Sequence, residues 1–114
     1  MHRTRSRASL GRSQVMRRPL GGTAGPEIEG MARRQLRMRL ITIEPGGATA
    51  VHTHKDRPGT VYVLQGKITD YRDRVATEYG PGVGWPENNA TTHWIRNNGT
   101  TPAVEISVDI FKQP

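Results

Sequence analysis

His52 and His54 stand one residue apart in the stretch "GGATAVHTHKDRPGTVYVLQG", Gly46 to Gly66. "AVHTH" reads as a short strand, and alternate residues of a strand share a face, so the two imidazoles project side by side. Imidazole ligates Zn, Fe, Ni, Cu and Mn, and such a pair supplies two adjacent coordination positions. A third ligand must come from elsewhere. His93, in "TTHWIRN", is the obvious supplier, because the remaining histidine, His2, lies near the N-terminus. Three converging histidines leave positions open for water or substrate, as a catalytic metal site does and a closed structural site does not. The plainer alternative is that the three only line a polar pocket.

The elements that must position these histidines read as β-strands throughout. "QVMRRPL" has the pattern of an edge strand before Pro19, and "GGTAGPEIEG" is loop. "QLRMRLITI" sets Leu36, Met38 and Leu40 against Arg37 and Arg39, the period of a strand with one wet face. "TVYVLQG" is a buried strand by its β-branched and aromatic content. "KITDYR" and "VATEYG" flank Asp73-Arg74 as the arms of a hairpin, and "GPGVGWPENN" reads as a long turn. "TTHWIRN" is a strand, "NGTTP" a turn, and "AVEISVDIF" a last strand with Val104, Ile106, Val108 and Ile110 on one face. Many short strands at close spacing, with no helix of ordinary length, indicate a sandwich or barrel.

Composition limits the alternatives. The 114 residues suffice for one domain, and 13 glycines and 8 prolines suit short strands joined by turns. With no cysteine there is no disulfide framework, thiolate metal site or thiol nucleophile. No apolar run reaches the length of a membrane span, and no apolar segment follows the basic N-terminus as in a secretory signal; the expectation is a soluble cytoplasmic protein. The net charge of +7 is uneven: residues 1–26 carry six arginines and no acid, leaving +1 for the rest. Residues 1–13 are expected to be a disordered basic tail, or the product of a start codon set too early, with 14–114 forming one domain. Two Trp, three Tyr and one Phe, without a recognisable binding module, argue against nucleic acid as a partner.

The frame around the histidines resembles the cupin superfamily. Gly46, five residues, His52-x-His54 and then Gly66 fit its first motif; Gly80, five residues, Pro86, and His93 with Asn97 four positions later fit its second. The resemblance spans roughly residues 36–111. It implies an all-β double-stranded β-helix, a small conserved-barrel or jelly-roll domain, commonly a homodimer. It also implies one divalent transition metal ion (Fe, Ni, Zn, Cu or Mn) held by His52, His54 and His93. Two positions depart from the pattern. Gly59 stands where the family has a metal-binding Glu, so that Gly59→Glu would be expected to restore a fourth ligand. Between Pro86-Glu87 and His93, the family has a glycine at position 88 and two fewer residues. Glu87 and Asp56, both read as turn residues, could supply the missing carboxylate, and Arg57 could hold a substrate carboxylate or be an ordinary surface arginine. Trp85 and Trp94 read as core or barrel rim.

Three functions follow from this resemblance. Three histidines without a carboxylate resemble the thiol-dioxygenase arrangement and imply an oxygenase-type or Lewis-acid enzyme on a small organic substrate. The alternative is a small-ligand-binding or sensor cupin without turnover. An attached DNA-binding domain would favour it, and a basic arm is a poor substitute for one. A barrel that only dimerises would fill its interior with large apolar side chains, against the placement of the histidines.

Overall fold

The computed structural model describes residues 15–21 and 28–112. Among these there is no helix and there are nine strands: β1 (Val15–Gly21), β2 (Arg34–Ile43), β3 (His52–Thr53), β4 (Gly59–Gln65), β5 (Ile68–Arg72), β6 (Val75–Tyr79), β7 (Gly84–Glu87), β8 (Thr92–Arg96) and β9 (Ala103–Lys112). They form two antiparallel sheets, one ordered β1-β2-β9-β4-β7 and the other β3-β8-β5-β6. The all-β, double-stranded β-helix expectation is met. The basic tail expected at residues 1–13 lies outside the described residues.

One apolar core joins the sheets. Ile41, Ile43, Val61, Val63, Ala103 and Trp85 from the five-stranded sheet meet Ile68 and Ile95 from the other. Ile43, Val63 and Ile68 are fully buried, each worth about 1.5–3 kcal/mol relative to exposure. Asn97 fastens the turn after β8: its buried Nδ2 donates to the carbonyls of Ile43 and Thr101 at 2.8 Å each, and its Oδ1 accepts from the Gly99 amide at 2.8 Å. That clasp fixes the end of the strand that carries His93.

The Asp73-Arg74 hairpin forms as its sequence predicts, with both residues at positive φ (47° and 68°), as a two-residue turn matched to strand twist requires. Three expectations are corrected. β4, read as a buried strand, is buried on one face alone: Val61 and Val63 are buried while Tyr62 (49%) and Leu64 (45%) are exposed, because only one side of the sheet meets the core. The segment read as a long turn contains β7. Pro86 is tolerated there because β7 is the edge of its sheet. The wet face of β2 is also not its outer face. Arg37 and Arg39 point inward with Ile41 and Ile43, whereas Leu36 (49%) and Met38 (38%) are exposed. The partner strand β9 does the same, burying Glu105, Ser107 and Asp109 and turning Val104, Ile106, Val108 and Ile110 outward. The interior at this end of the barrel is polar enough to hold charged side chains in ion pairs, so the alternation was real but its sense was reversed.

Candidate metal centre

The three histidines meet on the four-stranded sheet. His52 and His93 are Cα partners across β3 and β8, and residues opposite each other on antiparallel strands project from the same face. His54 follows the short strand, its amide donating to the carbonyl of Thr91 at 2.9 Å. One ligating atom from each histidine lies within 4.8 Å of the other two. His54 and His93 are buried, and His52 is half-buried.

For His52 and His93, hydrogen bonds settle which ring nitrogen faces the common point; His54 turns Nε2 toward His93, its buried Nδ1 having no hydrogen-bond partner. His52 Nδ1 is 2.8 Å from the Ala50 carbonyl, which only accepts, so Nδ1 carries the proton and Nε2 is left free. His93 Nδ1 donates to Asp70 Oδ1 at 2.6 Å, again leaving Nε2 inward. Asp70, itself buried, is held on its other oxygen by Arg72 Nε at 2.7 Å. The inward nitrogens of His54 and His93 are 3.0 Å apart.

Glu87 lies beside the cluster. Its carboxylate lies 3.3 Å from His54 Nε2 and 3.2 Å from His93 Nε2, is buried, and accepts from Trp85 Nε1 at 3.2 Å. Read as a turn residue, it stands instead on β7, directly opposite Gly59 of β4. The carboxylate therefore enters from the strand next to the one expected, at the matching register. Gly59 itself has no room for it. A Cβ there would lie 2.5 Å from the Val108 carbonyl oxygen and 2.9 Å from Asp109 Cβ. This packing corrects the expectation that Gly59→Glu would restore a ligand.

The three histidines fit a metal ion, one ring nitrogen of each lying within 4.8 Å of the others, and Glu87 stands beside them outside that group of three. Bonds of about 2.1 Å place neighbouring donors roughly 3.0–3.4 Å apart, and His54, His93 and Glu87 stand at 3.0, 3.2 and 3.3 Å from one another. Charge is arranged around the same point. Burial disfavours a charged His93, but its hydrogen bonds to Asp70 and Glu87 outweigh this and raise it to about 9. Burial pushes His54 down to about 4, against the pull of Glu87, and also lowers His52. Glu87 stays ionised despite burial because His93 and His54 face it.

The centre opens on a cavity of about 420 Å³, lined also by Arg17, Arg37, Arg39, Arg57, Glu105 and Ser107. Arg57 lies here, donating from Nη1 to Asp109 at 2.9 Å and from Nη2 to the Thr53 carbonyl at 3.3 Å. Asp56 does not line the cavity. It is exposed in a turn at φ 59°, with its amide on Asn89 Oδ1 and its carbonyl on Arg34. The unexpected residues Asn88–Thr91 form that tie: Asn88 Oδ1 accepts from the Ala90 amide while Asn89 reaches the Asp56 turn. Trp85 is core, stacked on Tyr79 at 4.4 Å, and Trp94 stacks on Tyr71 at 4.0 Å. Asp70, Arg39, Glu105, Ser107 and Asp109 were not singled out from the sequence. Their only signal was a period-two recurrence of polar residues in strands, which an outward face produces equally well.

The chain belongs to the cupin family, whose domain model matches residues 39–109. No curated protein matches the sequence. Solved structures share the fold. A predicted oxalate decarboxylase from Thermotoga maritima is 20% identical over 69% of this chain and 68% of its own, with a TM-score of 0.62. The cupin domain of an XRE family transcriptional regulator from Enterobacter cloacae is 19% identical over 88% of this chain and 99% of its own, at 0.65. KdgF from a Halomonas species is 16% identical over 84% and 80%, at 0.66. Among the described residues no helix is long and apolar enough to cross a membrane.

Proposed function

We propose that this chain is a metal-dependent cupin enzyme in which His52, His54, His93 and Glu87 hold one divalent transition metal ion against the cavity, where a small organic substrate reacts. The observation that carries this reading is the convergence of His54, His93 and Glu87 at the mutual spacings of ligands on one ion. The metal would supply Lewis-acid polarisation of a substrate oxygen, or a meeting place for substrate and dioxygen. Glu87 bears on that choice. A set of three neutral histidines was the reason to prefer dioxygen chemistry, and an added carboxylate makes the set monoanionic. The Lewis-acid reaction therefore stands level with the oxygenase-type one. Asp70 orients His93 through Nδ1, and Ala50 does the same for His52. The test is metal per chain by elemental analysis after loading with Zn²⁺, Ni²⁺ or Fe²⁺ and desalting. The parent should hold about one ion, and His93→Ala should lose most of it. Full occupancy in His93→Ala would refute the site.

We also infer a homodimer formed through the outer face of the five-stranded sheet. Leu36, Met38, Tyr62 and Leu64 are 38–49% exposed there, beside the outward Ile106 and Val108 of β9. A contiguous apolar face across three hydrogen-bonded strands is the kind of surface that a second copy covers. Light scattering of the purified chain at micromolar concentration should give twice the chain mass.

A further inference from the structure

Three of the arginines beside the cavity share one acid. Arg37 grips Asp109 with Nε and Nη2 at 2.9 and 2.7 Å and lies 4.0 Å over the ring of Phe111. Arg57 takes the same carboxylate at 2.9 Å. Arg39 is left over. Its closest approach to Asp109 is 3.5 Å, and its buried Nε has no hydrogen-bond partner. Directly across from it in register stands Ser107, and the next inward residue of β9 is Glu105, 3% exposed, whose Oε1 is also buried without a partner. Those two atoms are shut away from the cavity, but the rest of the Arg39 guanidinium is not: the side chain is 15% exposed on the cavity wall and its one ion pair, to Asp109, is long, which leaves it able to take an anion there.

We propose that this wall is the seat of a ligand carboxylate. The guanidinium of Arg39 receives it, with Ser107 and Glu105 beside it, so the cavity selects small organic acids. The proposal deepens the metal-enzyme reading by naming its substrate class, and rests on it only for the ligand's second anchor, an oxygen at the histidine centre. A guanidinium edge matches the planar, two-oxygen geometry of a carboxylate. The charge around it agrees. Arg37, Arg39 and Arg57 face a single Asp109, an excess of positive charge. Burial, with Glu87 adding to it, pushes Glu105 up to about 8, so at neutral pH it offers an O–H instead of a like charge. The cavity, about 420 Å³, accommodates a small acid.

The experiment is calorimetric or NMR titration with malonate, malonamide and inorganic phosphate, in metal-free and Zn²⁺-loaded protein. The parent should bind malonate about ten-fold or more tightly than malonamide or phosphate, and Arg39→Gln should weaken malonate about ten- to hundred-fold, as loss of a charged hydrogen-bond donor does. Arg39→Lys, which keeps the charge but not the fork, should recover only part. The two readings fail separately. If the histidines bind no metal, malonate should still bind the parent, with Arg39→Gln defective. If the carboxylate seat is wrong, the parent will not prefer malonate to malonamide, or will bind phosphate more tightly. Should Arg39→Gln not fold, that selectivity of the parent decides the matter alone. A folded Arg39→Gln with the parent's malonate affinity overturns the proposal.

Discussion

Replacing Asp70 with asparagine isolates the contact that aims His93. Asp70, itself buried, accepts from His93 Nδ1 at 2.6 Å on one oxygen and from the partly exposed Arg72 Nε at 2.7 Å on the other. Asparagine keeps one acceptor and turns the other into a donor that faces a donor. His93 then loses either its charged acceptor or its fixed ring orientation. Losing such a partner behind a metal-bound histidine costs about 10–100-fold in affinity, or about 1.4–2.7 kcal/mol. The metal-free protein gives a second readout. His93 is raised from 6.5 to about 9 in the folded chain. The stability this confers is complete below pH 6.5 and disappears as pH rises towards 9, a loss of up to about 3 kcal/mol. Asp70→Asn should flatten that slope. Zn²⁺ affinity is measured by competition with a chelator, and metal-free stability by urea unfolding at pH 6 and pH 9. A folded Asp70→Asn with the parent's Zn²⁺ affinity would refute the role assigned to Asp70.

Three further outcomes are expected. Gly59→Ala should destabilise the fold by about 1–3 kcal/mol in urea unfolding, because its Cβ meets the Val108 carbonyl at 2.5 Å; Gly59→Glu should do the same with no gain in metal affinity. Metal binding at pH 7.5 should release close to one proton, since His93 near 9 must give up the proton on Nε2 while His54 near 4 is already neutral. Calorimetry in two buffers of different ionisation enthalpy measures this, and zero release would contradict it. If the parent forms the proposed dimer, Met38→Glu, on the exposed apolar face of β2, should give a monomer in light scattering without changing metal content; a dimeric Met38→Glu would place the interface elsewhere.

The strand plan and the histidine triad were legible in the sequence because both rest on local rules. Period-two alternation marks a strand, and His52-x-His54 needs only that period to place two rings together. The Asp73-Arg74 hairpin is likewise settled by its own turn chemistry. What could not be read locally is which face of a strand points inward. In β2 and β9 the polar side chains are inside because they face one another across the sheet, Arg37 paired with Asp109 and Arg39 set opposite Ser107, and register is a property of two strands. The relocation of the carboxylate to Glu87 has the same origin. Gly59 and Glu87 are neighbours only through the β4–β7 pairing, and a glycine-rich segment ending at Pro86 gives little local sign of a strand.

The central claim is a single ion held by three imidazoles and one carboxylate. X-ray absorption at the zinc edge of the Zn²⁺-loaded chain, beside Glu87→Gln, tests it most directly. The parent should show three imidazole ligands at about 2.0 Å and a carboxylate oxygen, and Glu87→Gln should keep the imidazoles and lose the carboxylate. Two or fewer imidazoles in the parent would contradict the account.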